Sequence, residues 1–248
     1  MKVLVEAHPR YSDRTRTYRV GEGLTEVSVV IPAFNEEETV GDVVSGAIEV
    51  LNASHIDHEV IVVDDGSADE TSAIAKKSGA KVVRNPRNLG HGAALRTGFR
   101  QADGDIIVML DADEQNDPHD IPKVVSPLLQ GKADLVIGSR YMIEQDRGFG
   151  LYRRLLDRLF VTLVRYLVGV KLSDSQSMFR AIRTDLLNQL DIRADYRISV
   201  EMIVEAQRKG LRIVEVPIKV YRRRYGASRV GVWYAAKITL SLLTSLLR

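Results

Sequence analysis

Two carboxylates and an amide follow one apolar run at alternate positions. Asp111, Asp113 and Gln115 come directly after the run Ile-Ile-Val-Met-Leu. Because residues i and i+2 of an extended chain share a face, these three side chains can converge. Their oxygens are hard ligands of the kind that Mg²⁺ or Mn²⁺ prefers, and a divalent cation would relieve the repulsion between the carboxylates. The alternative is a polar turn in which residues 117–118, Asp-Pro, begin the next helix.

Two earlier apolar runs also end in acidic residues. Asp64 and Asp65 follow Val-Ile-Val-Val, and their carboxylates can accept hydrogen bonds from a base N–H and from ribose hydroxyls. The alternative is a helix start capped by Ser67, with Glu70 in the first turn. Residues 32–37, Pro-Ala-Phe-Asn-Glu-Glu, form a rigid turn with an amide, an aromatic face and carboxylates. This segment can equally be an acidic helix start that suits the helix dipole.

Basic residues concentrate in the second half of the chain. Residues 222–224 are three consecutive arginines, and Gly226, Ser228 and Arg229 follow them. Guanidinium groups bind phosphate through two parallel hydrogen bonds and stay charged, so this cluster predicts a phosphate site. A solvated basic strand end is the alternative. The uneven charge indicates a cation site in the first half of the chain and anion contacts in the second.

The elements that must position these residues alternate along the chain. Short β-branched runs bounded by turn residues predict strands at 27–33, 59–65, 80–85, 105–111 and 133–139. Helical periodicity predicts helices at 37–53, 70–78, 91–102 and 119–130. This alternation predicts an α/β fold, with a largely parallel sheet and helices on both faces. Such sheets bind ligands beyond the carboxyl ends of their strands, where the acidic segments fall.

Composition narrows the class of protein. The chain has 248 residues, 45% hydrophobic and 27% charged, with a net charge of +2, so no general affinity for nucleic acid is expected. It has no cysteine, which excludes disulfides and thiolate metal sites. The N-terminal residues are too charged for a signal peptide, and the longest late apolar run, 238–247, is too short to span a bilayer. We expect a soluble or surface-bound protein that faces the cytoplasm, with residues 1–25 as an arm outside the fold.

Two segments have the pattern of helices that lie on a membrane surface. Between 151 and 170, one stripe is apolar and arginines fall opposite it. Its apolar members are Tyr152, Leu155, Leu156, Leu159, Leu163, Tyr166 and Leu167, and its arginines are Arg154, Arg158 and Arg165. The segment 231–248 is also amphipathic. Helices packed on the sheet or against a second copy, and a lead into membrane helices beyond residue 248, remain alternatives.

Four motifs together resemble one family. The segments PAFNEEE, VVDDGSADET, RNLGHGAAL and LDADEQNDP, in this order and spacing, resemble family 2 glycosyltransferases with the GT-A fold. Later segments, GSRY, LYRRLLDRL, DSQSMFR, SVEMI and VPIKVYRRRYGASR, are similar to polyprenyl-phosphate sugar synthases, especially dolichyl-phosphate mannose synthases. The resemblance implies a GT-A catalytic domain over 26–230, followed by the amphipathic helix 231–248.

The resemblance also implies roles for particular residues. Those implied for the nucleotide sugar are Pro32, Phe34, Glu36, Val63, Asp65, Asp111, Ala112, Asp113, Gln115, Arg140, Arg223 and Arg229. Asp111, Asp113 and Gln115 would hold Mg²⁺ or Mn²⁺. Arg140 and Arg153 would contact the acceptor phosphate, and Asp113, Arg153 and Arg223 are the catalytic candidates. Glu201 matches a position where relatives have a catalytic or positioning carboxylate, although a surface Glu beside Arg197 or Lys209 fits the pattern equally well.

The implied activity is inverting transfer of a hexose to a polyprenyl or dolichyl phosphate at the cytoplasmic face of a membrane. The donor would be a nucleoside diphosphate sugar, with GDP-mannose favoured, and a second copy or a membrane protein are possible partners. Because a phosphate acceptor is already ionised at neutral pH, no strong general base is needed. His91 and His119 resemble loop or helix-start residues.

Three other functions fit parts of the sequence. A GT-A transferase that uses a UDP-sugar or a hydroxyl acceptor such as a saccharide would need a base, for which Glu201 is the candidate. A catalytically silent nucleotide-binding or scaffold protein is disfavoured by the intact Asp113 and Gln115. A nucleotidyltransferase is disfavoured because the first strand ends in an acidic segment rather than in a glycine-rich basic loop.

Overall fold

Strands and helices alternate along the chain in the computed structural model. The structure describes residues 27–143, 151–192 and 198–224, and at 151–154 it describes only the backbone. The strands are β1 (Val27–Ala33), β2 (His58–Asp64), β3 (Lys81–Arg84), β4 (Ile106–Met109), β5 (Leu135–Ser139), β6 (Arg180–Arg183) and β7 (Ile213–Pro217). The helices are α1 (Val40–Ala53), α2 (Thr71–Lys77), α3 (His91–Phe99), α4 (Ile121–Leu129), α5 (Leu151–Val168), α6 (Thr184–Leu187) and α7 (Ile198–Arg208), and a 3₁₀ turn at Pro118–Asp120 precedes α4.

The strands form a single sheet in the order β3-β2-β1-β4-β6-β5-β7. Pairing is parallel between β1 and β2, β1 and β4, β2 and β3, and β5 and β7, whereas β6 is antiparallel to both β4 and β5. Every residue of β1 is buried, as expected of a strand covered on both faces. The expected mostly parallel sheet flanked by helices is therefore confirmed.

Alternate side chains of the strands supply two apolar cores, one on each face of the sheet. Val29 and Ile31 of β1 contribute to the core beneath α1, α2 and α4, whereas Val30 faces the core beneath α3, α5 and α7. Gly98 of α3 brings that helix close to the sheet, because a Cβ built there would lie 2.3 Å from Val30 Cγ1. This close packing positions the start of α3 at the edge where β1, β2 and β4 end.

The antiparallel strand β6 is the main departure from the predicted sheet. Its residues, Arg-Ala-Ile-Arg, lack an apolar run, yet Arg180 is fully buried. Its guanidinium donates to the carbonyl oxygens of Ser177 (2.7 Å), Ser175 (2.9 Å) and Ser199. Burial lowers the pKa of Arg180 to about 10, so the group remains a cation at neutral pH. A buried strand can contain this arginine because backbone carbonyls replace its hydration.

Helix α5 packs on the sheet through part of the expected apolar stripe, namely the half-buried Leu163 and Leu167, together with residues next to the stripe. Phe160, Val161 and Val164 are buried in the second core. Leu155, Leu159 and Tyr166 of the expected stripe are instead 57%, 60% and 85% exposed. Within the described ranges, no helix combines the length and apolarity needed to cross a bilayer. The expected arm (1–25) and amphipathic helix (231–248) lie outside the described residues.

Candidate functional site

The turns that follow β1 and β2 form one wall of a cleft. The backbone N–H of Asn35 donates to Ser67 Oγ (2.9 Å), and the Asn35 side-chain oxygen accepts from the N–H of Ala68 (2.9 Å). The N–H of Glu36 donates to Thr71 Oγ1 (2.9 Å). Ser67 thus supports the β1 turn, and α2 begins at Thr71 without a side-chain cap. A cleft of about 530 Å³ opens here, lined by Asn35, Glu36, Glu37, Glu38, Ala68, Asp69 and Arg223.

Both carboxylates at the end of β2 are buried and hydrogen-bonded within the protein. Asp64 accepts from the Ser67 N–H (2.7 Å) and from the Ser72 hydroxyl. Burial opposes its ionisation, but these hydrogen bonds outweigh burial and keep the pKa of Asp64 below its ordinary value. Asp65 accepts from the Asn85 side-chain amide (2.7 Å) and from the N–H groups of Leu89 (3.0 Å) and Gly90 (2.8 Å). These bonds fix the loop before α3.

The side chains of Asp111 and Asp113, after β4, are half-buried and close enough for their charges to interact, whereas Gln115 contacts Asp113 through its backbone N–H. Asp111 lies 3.1 Å from His91 Nε2, measured from its Oδ1. Asp113 accepts from the Gln115 N–H (3.1 Å), and its side chain is only 16% exposed. Burial is the largest cause that raises the pKa of Asp113 to about 6, followed by the charge of Asp111, with Glu36 adding to it. Asp113 is therefore a carboxylate held close to others of the same charge.

This set of donors fits a hard divalent cation. Asp111, Asp113 and Gln115 offer oxygen ligands after β4. Burial first, and then the charge of Asp111, raises the pKa of Asp113, and a cation would remove the repulsion between the two carboxylates. Among the residues that the structure describes, no group of three or more His, Cys, Asp or Glu side chains is arranged to hold a metal, so water and phosphate oxygens would have to complete the shell begun by these two carboxylates and the amide.

The chain after β7 runs along the acidic loop after β4. We call residues 218–224 the arginine segment. The N–H of Tyr221 donates to the Gln115 carbonyl (2.8 Å), and its hydroxyl donates to Asp117 Oδ2 (3.0 Å). The N–H of Lys219 donates to Asp120 Oδ2 (2.6 Å). Backbone and side-chain contacts therefore hold the arginine segment against the site.

Two arginines of this segment face carboxylates. Arg223 Nη2 donates to Glu36 Oε1 at 3.0 Å, and its Nη1 lies 3.7 Å from Asp113 Oδ2. Arg224 Nη1 lies 3.7 Å from Glu114 Oε2. The acidic strand ends and the basic segment, far apart in sequence, thus form one mixed-charge site.

Arg140, at the end of β5, pairs inside the protein. Its Nε and Nη2 donate to Asp174 at 2.6 and 2.9 Å, and its side chain is 11% exposed. Although burial opposes both charges, the pairing raises the pKa of Arg140 and lowers that of Asp174. Glu215 accepts from the N–H groups of Ser173 (2.6 Å) and Asp174 (2.8 Å) and so fixes the same loop. A phosphate contact by Arg140 would have to share the guanidinium with Asp174.

The other predicted site residues differ in accessibility. Pro32, Val63 and Ala112 are buried, whereas Phe34 and Glu36 are half-buried. Arg229 and the Arg153 side chain lie outside the described residues.

Glu201 is only 5% exposed, so the interpretation as a surface residue is wrong; α7 buries this face against the core. His91, expected to be a loop or helix-start residue, begins α3, and its contact with Asp111 is the feature that the sequence did not predict. Its position between Gly90 and Gly92, where a helix is expected to begin, is the sequence feature that could have identified it as a site residue.

Comparison with known proteins gives consistent matches. Residues 28–191 match the family described as "Glycosyl transferase family 2". An uncharacterized protein of Methanocaldococcus jannaschii is 39% identical over 212 residues, 82% of this chain and 85% of that protein. The undecaprenyl-phosphate 4-deoxy-4-formamido-L-arabinose transferase of Edwardsiella ictaluri is 32% identical over 226 residues, 89% of this chain and 67% of the transferase.

A solved structure is also similar. It is glucosyl-3-phosphoglycerate synthase from Mycobacterium tuberculosis in complex with Mn²⁺, UDP-glucose and phosphoglyceric acid. The TM-score is 0.73 with 30% sequence identity, covering 90% of this chain and 80% of the other. The similar fold and the sequence identity of this synthase agree with the family match.

Proposed function

The chain belongs to glycosyl transferase family 2, and from this premise we propose that it transfers a hexose from a nucleoside diphosphate sugar to a polyprenyl phosphate at a membrane surface, with inversion at the anomeric carbon. The observation that carries the proposal is the convergence of Asp111, Asp113 and Arg223 at one edge of the sheet. Carboxylates there suit a divalent cation, and the guanidinium suits a diphosphate.

The donor would lie over the ends of β1, β2 and β4. Glu36 lines the cleft, and the half-buried Phe34 precedes the cleft-lining Asn35, so both can contact a base and ribose. Asp111, Asp113 and Gln115 would hold Mg²⁺ or Mn²⁺, which when bound neutralises charge on the departing diphosphate. Arg223, with Arg229 as a further candidate, would donate hydrogen bonds to the same diphosphate.

A phosphate acceptor suits this site because it needs no proton removed before attack. Arginines would hold the acceptor in line behind the anomeric carbon and offset repulsion between two anions. Arg153 is the first candidate, and Arg140 the second. The similarity to an undecaprenyl-phosphate transferase supports a polyprenyl phosphate. GDP-mannose is the donor that we propose first, because the later motifs resemble those of dolichyl-phosphate mannose synthases.

A membrane location follows from the acceptor and from α5. Leu155, Leu159 and Tyr166 are exposed apolar side chains on one helix, and Arg158 of the same helix is also exposed. We call these three apolar residues the outer stripe of α5. Apolar side chains with an adjacent cation suit the headgroup layer of an anionic bilayer.

A second candidate is transfer from a UDP-sugar to a hydroxyl acceptor. The similarity to a synthase solved with UDP-glucose and phosphoglyceric acid favours it. Such an acceptor must lose a proton as it attacks, so a base would be required. Glu201, buried near the start of α7, is the residue to test for that role.

The deciding experiment is a matrix of donors and acceptors. GDP-mannose, UDP-glucose and other UDP-sugars are each incubated with polyprenyl phosphate or phosphoglyceric acid, with Mg²⁺, Mn²⁺ or EDTA, and the products are separated by lipid extraction. Labelled lipid supports the first candidate, and labelled glycosyl-phosphoglycerate, separated from unreacted donor by chromatography, supports the second. If neither product forms from any donor, both candidates are contradicted.

Asp113→Asn should abolish transfer without unfolding the protein. The substitution removes the charge of a metal ligand while keeping the shape of the side chain, so the rate should fall by about a thousandfold. Asp103→Asn, which removes a carboxylate that is 81% exposed at the opposite end of the sheet, is the matched control. Full activity of Asp113→Asn, or full activity in EDTA, contradicts the metal assignment.

A further inference from the structure

The positively charged side chain of Arg223 lies against the carboxylates of the candidate donor site. Its guanidinium lies between Glu36, after β1, and Asp113, after β4, with nitrogen–oxygen distances of 3.0 and 3.7 Å. The three side chains are partly shielded, with exposures of 26%, 18% and 16%. In such surroundings charges interact more strongly than in open water. Arg223 therefore offsets part of the repulsion between the acidic strand ends.

The backbone that carries Arg223 is held independently of this contact. Tyr221 donates its N–H to Gln115, and Asn116 and Val220 form an antiparallel bridge. Lys219 donates its N–H to Asp120. The Arg223 side chain can therefore leave Asp113 by a change of rotamer while the arginine segment stays in place.

A divalent cation and Arg223 compete for Asp113. Both need the same carboxylate, and two cations side by side repel each other. A diphosphate removes this conflict because it is an anion that can accept hydrogen bonds from the displaced guanidinium. Metal that binds alone must therefore displace Arg223 from Asp113. Metal that binds together with a diphosphate also supplies the displaced guanidinium with a new hydrogen-bond acceptor.

We propose that Arg223 is the resident counter-cation of the site, which holds Asp113 until metal and donor arrive together and then exchanges this carboxylate for the donor diphosphate. The inference rests on the proposed function, which it deepens by specifying how metal and donor binding are coupled. Coupling of this kind is reciprocal, so nucleotide should strengthen metal binding by the same factor as metal strengthens nucleotide binding.

The test measures Mn²⁺ binding by calorimetry on the full chain, first alone and then with saturating GDP or UDP. In Arg223→Gln, the affinity for Mn²⁺ alone should rise about tenfold, because the competing charge is gone. The strengthening of Mn²⁺ binding by nucleotide should shrink in the same variant. Arg224→Gln is the matched control, since it removes the same charge one residue later but faces Glu114. It should change the affinity for Mn²⁺ alone much less.

Each outcome decides the inference. Unchanged or weaker Mn²⁺ binding in Arg223→Gln, with a native melting temperature, overturns it. An equal gain in Arg224→Gln also overturns it, because the effect would then be general charge. The proposed function is tested separately by sugar transfer to lipid. An enzyme that transfers sugar but shows no gain in Arg223→Gln refutes the exchange alone, and a gain without lipid product refutes the acceptor alone.

Discussion

At the scale of single residues, Asp113 couples the stability of the protein to pH. Burial, Asp111 and Glu36 raise its pKa from 3.8 to about 6. Between these values the folded protein keeps a proton that the unfolded chain has released, so this group makes stability fall as pH rises and costs most above pH 6. Asp113→Asn removes that cost. Its melting temperature relative to the native protein should rise from pH 4 to pH 7, and a constant difference would contradict the assignment.

His91 is the residue whose role the fold made visible. Its Nε2 lies 3.1 Å from Asp111 Oδ1 and can fix the orientation of that carboxylate. Residues that orient a metal ligand typically affect affinity by roughly 10–100-fold. His91→Ala should therefore weaken Mn²⁺ binding about tenfold in calorimetry, whereas His91→Gln, which keeps a donor, should retain most of it. His119→Ala is the control, because His119 contacts Asp117 instead; an equal loss there would argue against a specific role for His91.

At the scale of elements, the contact between α3 and the sheet has little tolerance. A methyl group added at Gly98 would lie 2.3 Å from Val30 Cγ1, so Gly98→Ala must separate helix and strand. Overpacking of this kind costs about 1–3 kcal/mol. Gly46→Ala on α1 is the control, since its added methyl would meet Pro118 at an ordinary 3.4 Å and alanine favours helix. Urea unfolding should show a loss for Gly98→Ala alone, and equal stability of both variants would refute the close packing.

The same element positions the site. Helix α3 begins at His91, and the loop before it is fixed by Asp65. A displaced α3 would carry His91 away from Asp111, so Gly98→Ala should also weaken Mn²⁺ binding although it lies away from the acidic residues.

At the scale of the whole molecule, one surface suits a bilayer. Leu159 and Tyr166 of the outer stripe are 60% and 85% exposed. We expect the protein to sediment with anionic liposomes at low salt and less so at high salt, because exposed cations such as Arg158 contribute about 1 kcal/mol each, screened by ions. Replacing Leu159 and Tyr166 by Ser should reduce sedimentation.

The control for this experiment is Leu89→Ser, which removes another exposed leucine, 40% exposed, away from α5. Truncation before residue 231 tests the predicted C-terminal helix in the same assay and should also weaken sedimentation. If the full chain stays in the supernatant at low salt, the outer stripe does not bind lipid.

The sequence by itself determined the parallel part of the fold and the placement of acidic residues directly after its strands. Strands buried on both faces must be nearly continuous apolar runs, so the first five strands were visible as such, each within a few residues of its observed bounds. Asp111, Asp113 and Gln115 directly follow one of these runs, and parallel strands bring such residues to one edge. These features depend on local pattern, which the sequence displays.

Only the tertiary structure decided the features that depend on distant partners. Strand β6 has no apolar run, and it is buried because carbonyls of Ser175, Ser177 and Ser199 satisfy Arg180. Arg223 meets Glu36 across 187 positions of the chain. The pairing of each arginine with a carboxylate depends on distances in the folded protein, and these distances cannot be read from spacing along the sequence.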